Sequence, residues 1–192
     1  MRGLALSALA LLAACGAPDE KREPPVAFAK LSPDPVKHGE RLSIILGCSG
    51  CHGKDLTGED WSEAGYGRLW TANLTVSAAS YNDSELKRVI AEGKKPDGTP
   101  LWDMPSRLFT QIADADMNAL VAYIRSRPKQ GEAHPLPTFG PILKAEMAKG
   151  EYYSSAVGVE REGKAWPPDA GPEHRLARYM VRATCAECHE MD

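Results

Sequence analysis

Two cysteine motifs constrain this chain more than any other feature of its sequence. The chain reads CSGCH at residues 48–52 and CAECH at residues 185–189. Each motif sets two thiols one helical turn apart and places a histidine directly after the second thiol. The only other cysteine, Cys15, stands alone near the N terminus. A structure for this chain must therefore explain why the same three side chains recur at the same spacing.

The spacing has a physical reason, which the first motif illustrates. The thiols of Cys48 and Cys51 can bond to the two vinyl-derived carbons on one edge of a porphyrin. His52 can then turn under the ring and ligate its iron. Cys-x-x-Cys-His is the attachment pattern of c-type haem, so this motif predicts covalently bound haem c.

The second motif predicts a second haem c, held by Cys185 and Cys188 and ligated by His189. Three other interpretations of the pairs fit less well. A thioredoxin-like redox pair follows a strand of a βαβ unit, and no such pattern surrounds either motif. A zinc ribbon sets its two cysteine pairs about twenty residues apart, whereas the two pairs of this chain lie at opposite ends of the sequence, at residues 48–51 and 185–188. A structural disulfide does not need the histidine that follows both pairs.

The N-terminal residues have the pattern of an export signal. A positive charge at Arg2 precedes the apolar run Leu4–Leu12, which is followed by small residues. The sequence Leu-Ala-Ala-Cys ending at Cys15 resembles the lipobox of bacterial lipoproteins, which implies cleavage before Cys15 and acylation of it. The alternative is an ordinary signal peptide with an incidental cysteine. We expect residues 1–14 to be the signal and the proline-rich residues 15–33 to be a tether. The predicted location is the periplasmic side of a bacterial envelope, with a lipid anchor in the membrane.

Composition limits the fold and the partners. Of the 192 residues, 43% are hydrophobic and 26% are charged, which argues against intrinsic disorder. Aromatic residues make up only 7%, and runs of β-branched residues are few, which disfavours a β-sandwich or barrel. The net charge is −3 and no basic run occurs, so we expect no nucleic-acid partner.

Three amphipathic helices are predicted between residues 34 and 128. The first opens at Asp34-Pro35 and ends before Gly47. The second covers Asp83–Glu92 and carries a capping-box pattern. The third runs from Asp114 to just before Pro128. Helices joined by long irregular loops predict an all-α domain over residues 34–128.

The rest of the chain is predicted to be less regular. Residues 129–171 are broken by prolines and are expected to form an arm, with a helical turn or two at Ile142–Ala148. A fourth helix is predicted from Gly171-Pro172 into the second motif. An amphipathic helix that leads into CxxCH thus occurs twice, as in an incomplete repeat. We expect residues 172–192 to be the N-terminal piece of a second, truncated domain of the same kind. The alternatives are a second haem that takes a ligand from the arm, or one that stays five-coordinate or does not form.

A haem ligated only by His52 needs a ligand on its other face for pure electron transfer. Met104 is the predicted sixth ligand, because it lies in a rigid proline-bounded loop and a thioether stabilises ferrous iron. The alternative is that a methionine beside Trp102 fills the core, as Met117 on a helical stripe is expected to do. His38 is expected to face solvent. For His134 and His174 two interpretations stay open: each is either a surface residue or a haem ligand.

Residues 36–128 resemble a class I cytochrome c domain. The matching features are Gly39 in the first helix, the CSGCHG sequence, Asn73-Leu74-Thr75, Met104-Pro105 and residues 120–128. The resemblance implies that Gly39 lets Tyr123 of the last helix approach closely. It also implies that Trp70 and Asn73 line the haem pocket. Residues 85–104 more narrowly resemble multi-haem cytochrome subunits of periplasmic dehydrogenases.

These observations predict a periplasmic c-type cytochrome that transfers single electrons and has no catalytic residues of its own. Its expected partner is a redox protein such as a dehydrogenase or an oxidase. An acidic stretch beside the first motif, residues 55–63, could steer a basic partner or simply be solvated. The alternative is a di-haem, peroxidase-like oxidoreductase with an open iron position at the second haem. A third alternative is a structural lipoprotein.

Overall fold

The computed structural model describes residues 26–189. The predicted signal peptide, Cys15 and residues 16–25 of the predicted tether lie outside the described residues, as do residues 190–192. The α-helices of the described part are, in chain order, α1 (Pro35–Ile45), α2 (Cys48–Cys51), α3 (Leu74–Ser77), α4 (Asp83–Glu92), α5 (Ser106–Phe109), α6 (Asp114–Ser126), α7 (Pro141–Lys149), α8 (Ser155–Glu162) and α9 (Arg175–Met180). A π-helical turn, Val181–Cys185, continues α9, and 3-10 turns cover Ala78–Ser80 and Pro172–His174.

The crossing of α1 and α6 is the central packing contact of the fold. Gly39 stands at the crossing point. A Cβ atom there would lie 1.9 Å from the carbonyl oxygen of Ala119 and 2.7 Å from the Cβ of Tyr123. Only glycine therefore allows the two helix backbones to come this close. The predicted pairing of Gly39 with Tyr123 is confirmed, and it brings α1 and the motif that follows it against the core.

The predicted ends of the three main helices are confirmed. Asp34 caps α1 by accepting a hydrogen bond from the Val36 N–H at 2.8 Å. At α4, Asn82 and Glu85 exchange two hydrogen bonds, both 2.9 Å, in a complete capping box. Helices α4 and α6 are amphipathic, as predicted, and each buries one apolar stripe: Leu86, Val89 and Ile90 on α4, and Met117, Leu120, Val121 and Ile124 on α6.

The expectation that His38 faces solvent is wrong. His38 is 2% exposed, and its Nε2 lies 3.4 Å from Oδ1 of Asp116, which is itself fully buried. His38 and Asp116 belong to α1 and α6, so the crossing that Gly39 permits also encloses this polar pair. A buried carboxylate is costly unless it has partners. His38 lies within ion-pair distance of Oδ1 without forming a hydrogen bond to it, and the hydrogen bonds of Asp116 are made at Oδ2.

Residues 129–171 are more regular than the prolines suggested. Helix α7 covers the predicted turns at 142–148, whereas α8 was not predicted. The Ser154 side chain caps α8 by accepting from the Val157 N–H. In addition, Thr138–Phe139 (β2) pairs antiparallel with Gly67–Arg68 (β1), which attaches this segment to the loop after the first motif. The proline-rich stretch is thus packed along the domain.

The C-terminal helix α9 packs against the domain through a buried polar cluster. The Tyr179 hydroxyl donates to Oδ2 of Asp116 at 2.8 Å and accepts from the Ala113 N–H at 3.0 Å. The Phe28 N–H also donates to Oδ2 of Asp116, at 2.9 Å. One carboxylate of α6 therefore joins α1, α9 and the segment that precedes α1.

Arg182 provides a second attachment for the C-terminal residues. It is 1% exposed and donates to the carbonyl oxygens of Arg107 and Gly163 at 2.9 and 3.0 Å. Helix α5 and the end of α8 are thereby held to the turn that leads into the second motif. Within residues 26–189, no helix has the length and apolar character needed to cross a bilayer.

Candidate haem site

The first motif forms a one-turn helix, α2, which follows α1 after a short break. Gly47 breaks α1 with a left-handed backbone, φ +78°, which glycine adopts at little cost. Helix α2 then carries both thiols, and the His52 N–H donates to the Cys48 carbonyl oxygen at 2.8 Å. The hydroxyls of Ser43 and Ser49, 2.6 Å apart, join α1 to α2. The two cysteines therefore project from a short helix whose orientation α1 fixes.

The side chain of His52 is held by a backbone carbonyl. Its Nδ1 lies 2.8 Å from the carbonyl oxygen of Ala72. Because a carbonyl oxygen only accepts, Nδ1 carries the proton and the lone pair is left on Nε2. Burial lowers the pKa of His52, which the bond to Ala72 partly opposes. The neutral imidazole with a free Nε2 is the form that binds a metal.

Both thiols of the first motif are free, and their surroundings favour the protonated form. Burial raises the pKa of Cys48 to about 12. The pKa of Cys51 is also raised, first by burial and then by the negative charges of Glu187 and Asp103. These two acids belong to the second motif and to the Met104 loop. Both segments are therefore close enough to Cys51 to act on its thiol electrostatically.

Met104 lies in the loop between α4 and α5. Its side chain is half-buried and packs against the core, and its carbonyl oxygen accepts from the Ser106 N–H at 2.8 Å. The preceding residue, Asp103, has a left-handed backbone with φ +59°. Met117 is 5% exposed on the α6 stripe, so its predicted role in the core is confirmed. Ligation of iron by Met104 stays a prediction.

Asn73 and Trp70 have partners that explain much of their placement. Asn73 caps α3: its Oδ1 accepts from the Thr75 N–H and hydroxyl, and its Nδ2 donates to the carbonyl oxygens of Gln130 and Glu132. Trp70 stacks on His134, with ring centroids 4.3 Å apart. Pocket lining by Trp70 and Asn73 stays a prediction.

The sequence did not indicate that the Ala72 carbonyl oxygen would hold the His52 ring. A backbone acceptor is present at every residue, so no residue type marks the one that is used.

The two histidines left open by the sequence differ in their surroundings. Nε2 of His134 lies 2.7 Å from the Thr57 carbonyl oxygen, so that nitrogen is engaged with the loop after the first motif. His174 is exposed, and its Nε2 lies 3.6 Å from a carboxylate oxygen of Glu173. His134 thus supports the loop around His52.

The second motif lies against α5. Arg107 reaches both the carboxylate of Glu187, at 3.4 Å, and the carbonyl oxygen of Ala186, at 3.3 Å. The side chains expected to hold haem are all exposed: Cys185, Cys188 and His189. Haem attachment at this motif stays a prediction, as does the assignment of residues 172–192 to a second domain.

The residues of the first motif fit a covalently bound haem c. Two free thiols stand one turn apart on α2, and the histidine after them is neutral, with Nδ1 committed to Ala72 and Nε2 free. If haem is bound, Cys48 and Cys51 would hold the porphyrin edge and His52 would ligate the iron.

Comparisons with known proteins point to the same family. Residues 36–128 match the family model described as Cytochrome c. Over 166 residues the chain is 29% identical to a component of the nicotinate dehydrogenase of Pseudomonas putida, in an alignment that covers 80% of this chain and 14% of that protein. Over 95 residues it is 27% identical to CcoP, a component of the cbb3-type cytochrome c oxidase of Helicobacter pylori, covering 50% of this chain and 29% of CcoP.

The chain thus spans less than a third of the length of each of these relatives. The family match covers the same residues that form helices α1 to α6 and contain the first motif. This family implies covalently bound haem c. Residues 36–128 are therefore a cytochrome c domain with the all-α fold expected of it, and the chain resembles components of a dehydrogenase and an oxidase.

Proposed function

We propose that this chain carries single electrons in the periplasm through covalently bound haem c, as a carrier and not as a catalyst. The observation that carries the proposal is the bond from Nδ1 of His52 to the Ala72 carbonyl oxygen. It fixes the tautomer and the ring so that Nε2 is ready to bind iron. Haem c, when bound, supplies an iron centre that gains and loses one electron.

The chain's own residues then have distinct roles. Cys48 and Cys51 would hold the group covalently, so that it is retained through cycles of oxidation and reduction. His52 and Met104 would both ligate the iron, which would leave no position open for a substrate and would favour the ferrous state. The loop that carries Met104 lies close enough to the first motif for the charge of Asp103 to contribute to the raised pKa of the Cys51 thiol, which supports this assignment.

The attachment sites are tested by counting haem per chain. We expect two haems per chain in the wild-type protein, counted by the pyridine haemochrome spectrum and by haem staining after denaturing electrophoresis. Replacing both Cys48 and Cys51 with Ala should leave one, and the matched control, Ala at both Cys185 and Cys188, should also leave one. Undiminished haem in the first double variant would refute the first site; undiminished haem in the second would refute the second.

The ligand assignment is tested by Met104→Ala. We expect the reduced first haem to bind carbon monoxide, and the potential to fall because the thioether's preference for ferrous iron is lost. Met117→Ala is the control, since it removes a buried methionine at a cost of about 2–5 kcal/mol without touching the ligand field. If Met104→Ala leaves spectrum and potential unchanged, Met104 is not the ligand.

The partner we propose is a redox protein, either a dehydrogenase or an oxidase. The names of the two relatives, which are components of a dehydrogenase and of an oxidase, support this choice. Reduction of the purified cytochrome by a candidate dehydrogenase, or its oxidation by a candidate oxidase, gives the direction of electron flow. An absence of exchange with either class would contradict the proposal.

Membrane attachment through Cys15 is part of the same proposal. The support is the lipobox-like sequence that ends at Cys15. Cys15→Ser should convert a membrane-bound product into a soluble or uncleaved one, measured by cell fractionation and by mass spectrometry of the mature N terminus. Unaltered fractionation and mass would show that Cys15 carries no anchor.

A peroxidase-like activity at the second haem is the second candidate. It is favoured by the exposure of Cys185, Cys188 and His189, which leaves the surface around that motif open to small molecules. Carbon monoxide binding to the reduced wild-type protein, together with turnover of hydrogen peroxide, would support this candidate. If neither occurs in protein that carries both haems, the second haem is not a peroxidase site.

A further inference from the structure

We propose that residues 139–155, which lie beyond the cytochrome c domain, clamp the loop that carries Met104 and hold it against the first haem. Tyr152 is the principal positioning residue. This inference rests on the proposed function, in which Met104 is an iron ligand. It goes further by assigning a role in ligation to a segment that the family match does not include.

The clamp acts on three consecutive residues before Met104. The first is Leu101, whose carbonyl oxygen accepts from the Ser155 N–H at 2.9 Å, at the start of α8. On its other side, the Leu101 N–H donates to the carbonyl oxygen of Gly93 at 2.8 Å. Leu101 is therefore fixed between the end of α4 and the start of α8.

The second residue is Trp102, which packs between two aromatic rings of the same segment. Its ring centroid lies 4.5 Å from that of Phe139, at 58° between the planes. It lies 5.4 Å from the ring of Tyr152, and these two planes are nearly parallel at 19°. Phe139 and Tyr152 also contact each other edge-on, at 6.0 Å. Such aromatic contacts are favourable beyond the area they bury.

The third residue is Asp103, whose backbone is in the left-handed region, φ +59°. That conformation is unfavourable for most residues, although aspartate tolerates it better than others. The Tyr152 hydroxyl donates to Oδ2 of Asp103 at 2.9 Å. The bond stabilises the turn that redirects the chain just before Met104.

This arrangement matters because a thioether is a neutral and easily displaced ligand. Whether its sulfur stays on the iron depends on how firmly the loop is held, just as outer residues orient the ligands of other metal sites. Loosening the clamp should therefore raise the fraction of time for which the iron face is open. The potential should fall with it, because the thioether stabilises the ferrous state.

The experiment compares Tyr152→Phe with Tyr153→Phe in the holo-protein. Tyr152→Phe keeps the ring stack and removes the hydroxyl that holds Asp103. Tyr153→Phe is the matched control: its hydroxyl also donates to a carboxylate, that of Glu162 at 3.2 Å, but not to the Met104 loop. The readouts are the near-infrared band of the thioether–ferric bond, the rate at which imidazole displaces it, and the potential.

We expect imidazole to displace the thioether about tenfold faster in Tyr152→Phe, as for the loss of a hydrogen bond to a charged acceptor. The potential should fall, and amide exchange at residues 101–104 should speed up. Tyr153→Phe should match the wild type. Asp103→Asn, which keeps an acceptor for Tyr152 and tolerates the left-handed backbone, should stay close to the wild type. Asp103→Ala should loosen the loop more than Tyr152→Phe, because it removes the acceptor and also places alanine in the left-handed region.

The outcomes separate the clamp from the ligand assignment. If the wild-type protein has no thioether band, or Met104→Ala keeps it, the ligand assignment fails and the clamp's role in ligation fails with it. If the band depends on Met104 but Tyr152→Phe and Tyr153→Phe give equal displacement rates and potentials, the clamp alone is overturned.

Discussion

Removing the Tyr179 hydroxyl should weaken the attachment of α9 to the rest of the domain. In Tyr179→Phe the ring stays, so its contact with Phe28, 5.3 Å between centroids, is retained. What is lost is the hydroxyl that donates to Asp116 at 2.8 Å and accepts from the Ala113 N–H at 3.0 Å. Burial raises the pKa of Tyr179, as does Asp116, so the hydroxyl is protonated and able to donate at neutral pH.

The magnitude follows from these two bonds. A hydrogen bond to a charged acceptor contributes about 1.5–3 kcal/mol, and a donor left without its partner adds to the loss. Asp116 is fully buried, so solvent does not replace the missing donor. We therefore expect the free energy for opening α9 to fall by about 2–3 kcal/mol, which is roughly a 30- to 150-fold faster amide exchange over residues 179–186.

Hydrogen exchange followed by mass spectrometry measures this region directly. The control is Tyr123→Phe, which changes another buried tyrosine, on α6, and should leave exchange at residues 179–186 unaltered. Exchange in α4 should be the same in both variants. Equal protection of residues 179–186 in Tyr179→Phe and the wild type would refute the reasoning, because the Asp116 cluster would then not hold α9.

Three further predictions concern the domain itself. Gly39→Ala should destabilise the protein by about 1–3 kcal/mol or more in urea unfolding, because its Cβ would lie 1.9 Å from a carbonyl oxygen of α6; a change below the error of the measurement would contradict the close crossing. Asn73→Ala should cost about 1–3 kcal/mol and raise protease sensitivity at residues 130–132, whose carbonyl oxygens lose the Asn73 amide; resistance equal to the wild type would argue against this tie. Asn82→Ala should lower the unfolding free energy by about 0.5–2 kcal/mol by removing the capping box of α4, and an unchanged urea midpoint would speak against the cap.

The ends of the helices could be predicted because their determinants are local. Asn82 and Glu85 satisfy backbone groups within one turn of each other, so the bounds of α4 follow from the sequence alone. The geometry of the first CxxCH motif is equally local, because one short helix, α2, carries both thiols and the histidine follows directly. The apolar stripes were predictable too, because a period of 3.6 residues fixes which side chains share a face.

The segment after residue 128 shows where local signals fail. Prolines marked it as irregular, yet it contains α8, whose start is fixed partly by a bond from Ser155 to the Leu101 carbonyl oxygen. Proline restricts only its own backbone and its immediate neighbour. It does not reveal that distant residues supply hydrogen-bond partners for the chain between the prolines.

The sequence by itself determined the spacing of the first motif, the main helix bounds and the all-α class, since each depends on neighbours within a few positions. Only the tertiary structure decided that His38 is buried, because its partner Asp116 is brought to it by the α1–α6 crossing. It alone paired Tyr152 with Asp103, 49 residues apart, and His52 with the Ala72 carbonyl oxygen, 20 residues apart. A polar side chain is buried or exposed according to the partners it meets, and those partners come from parts of the chain that only the folded structure brings together.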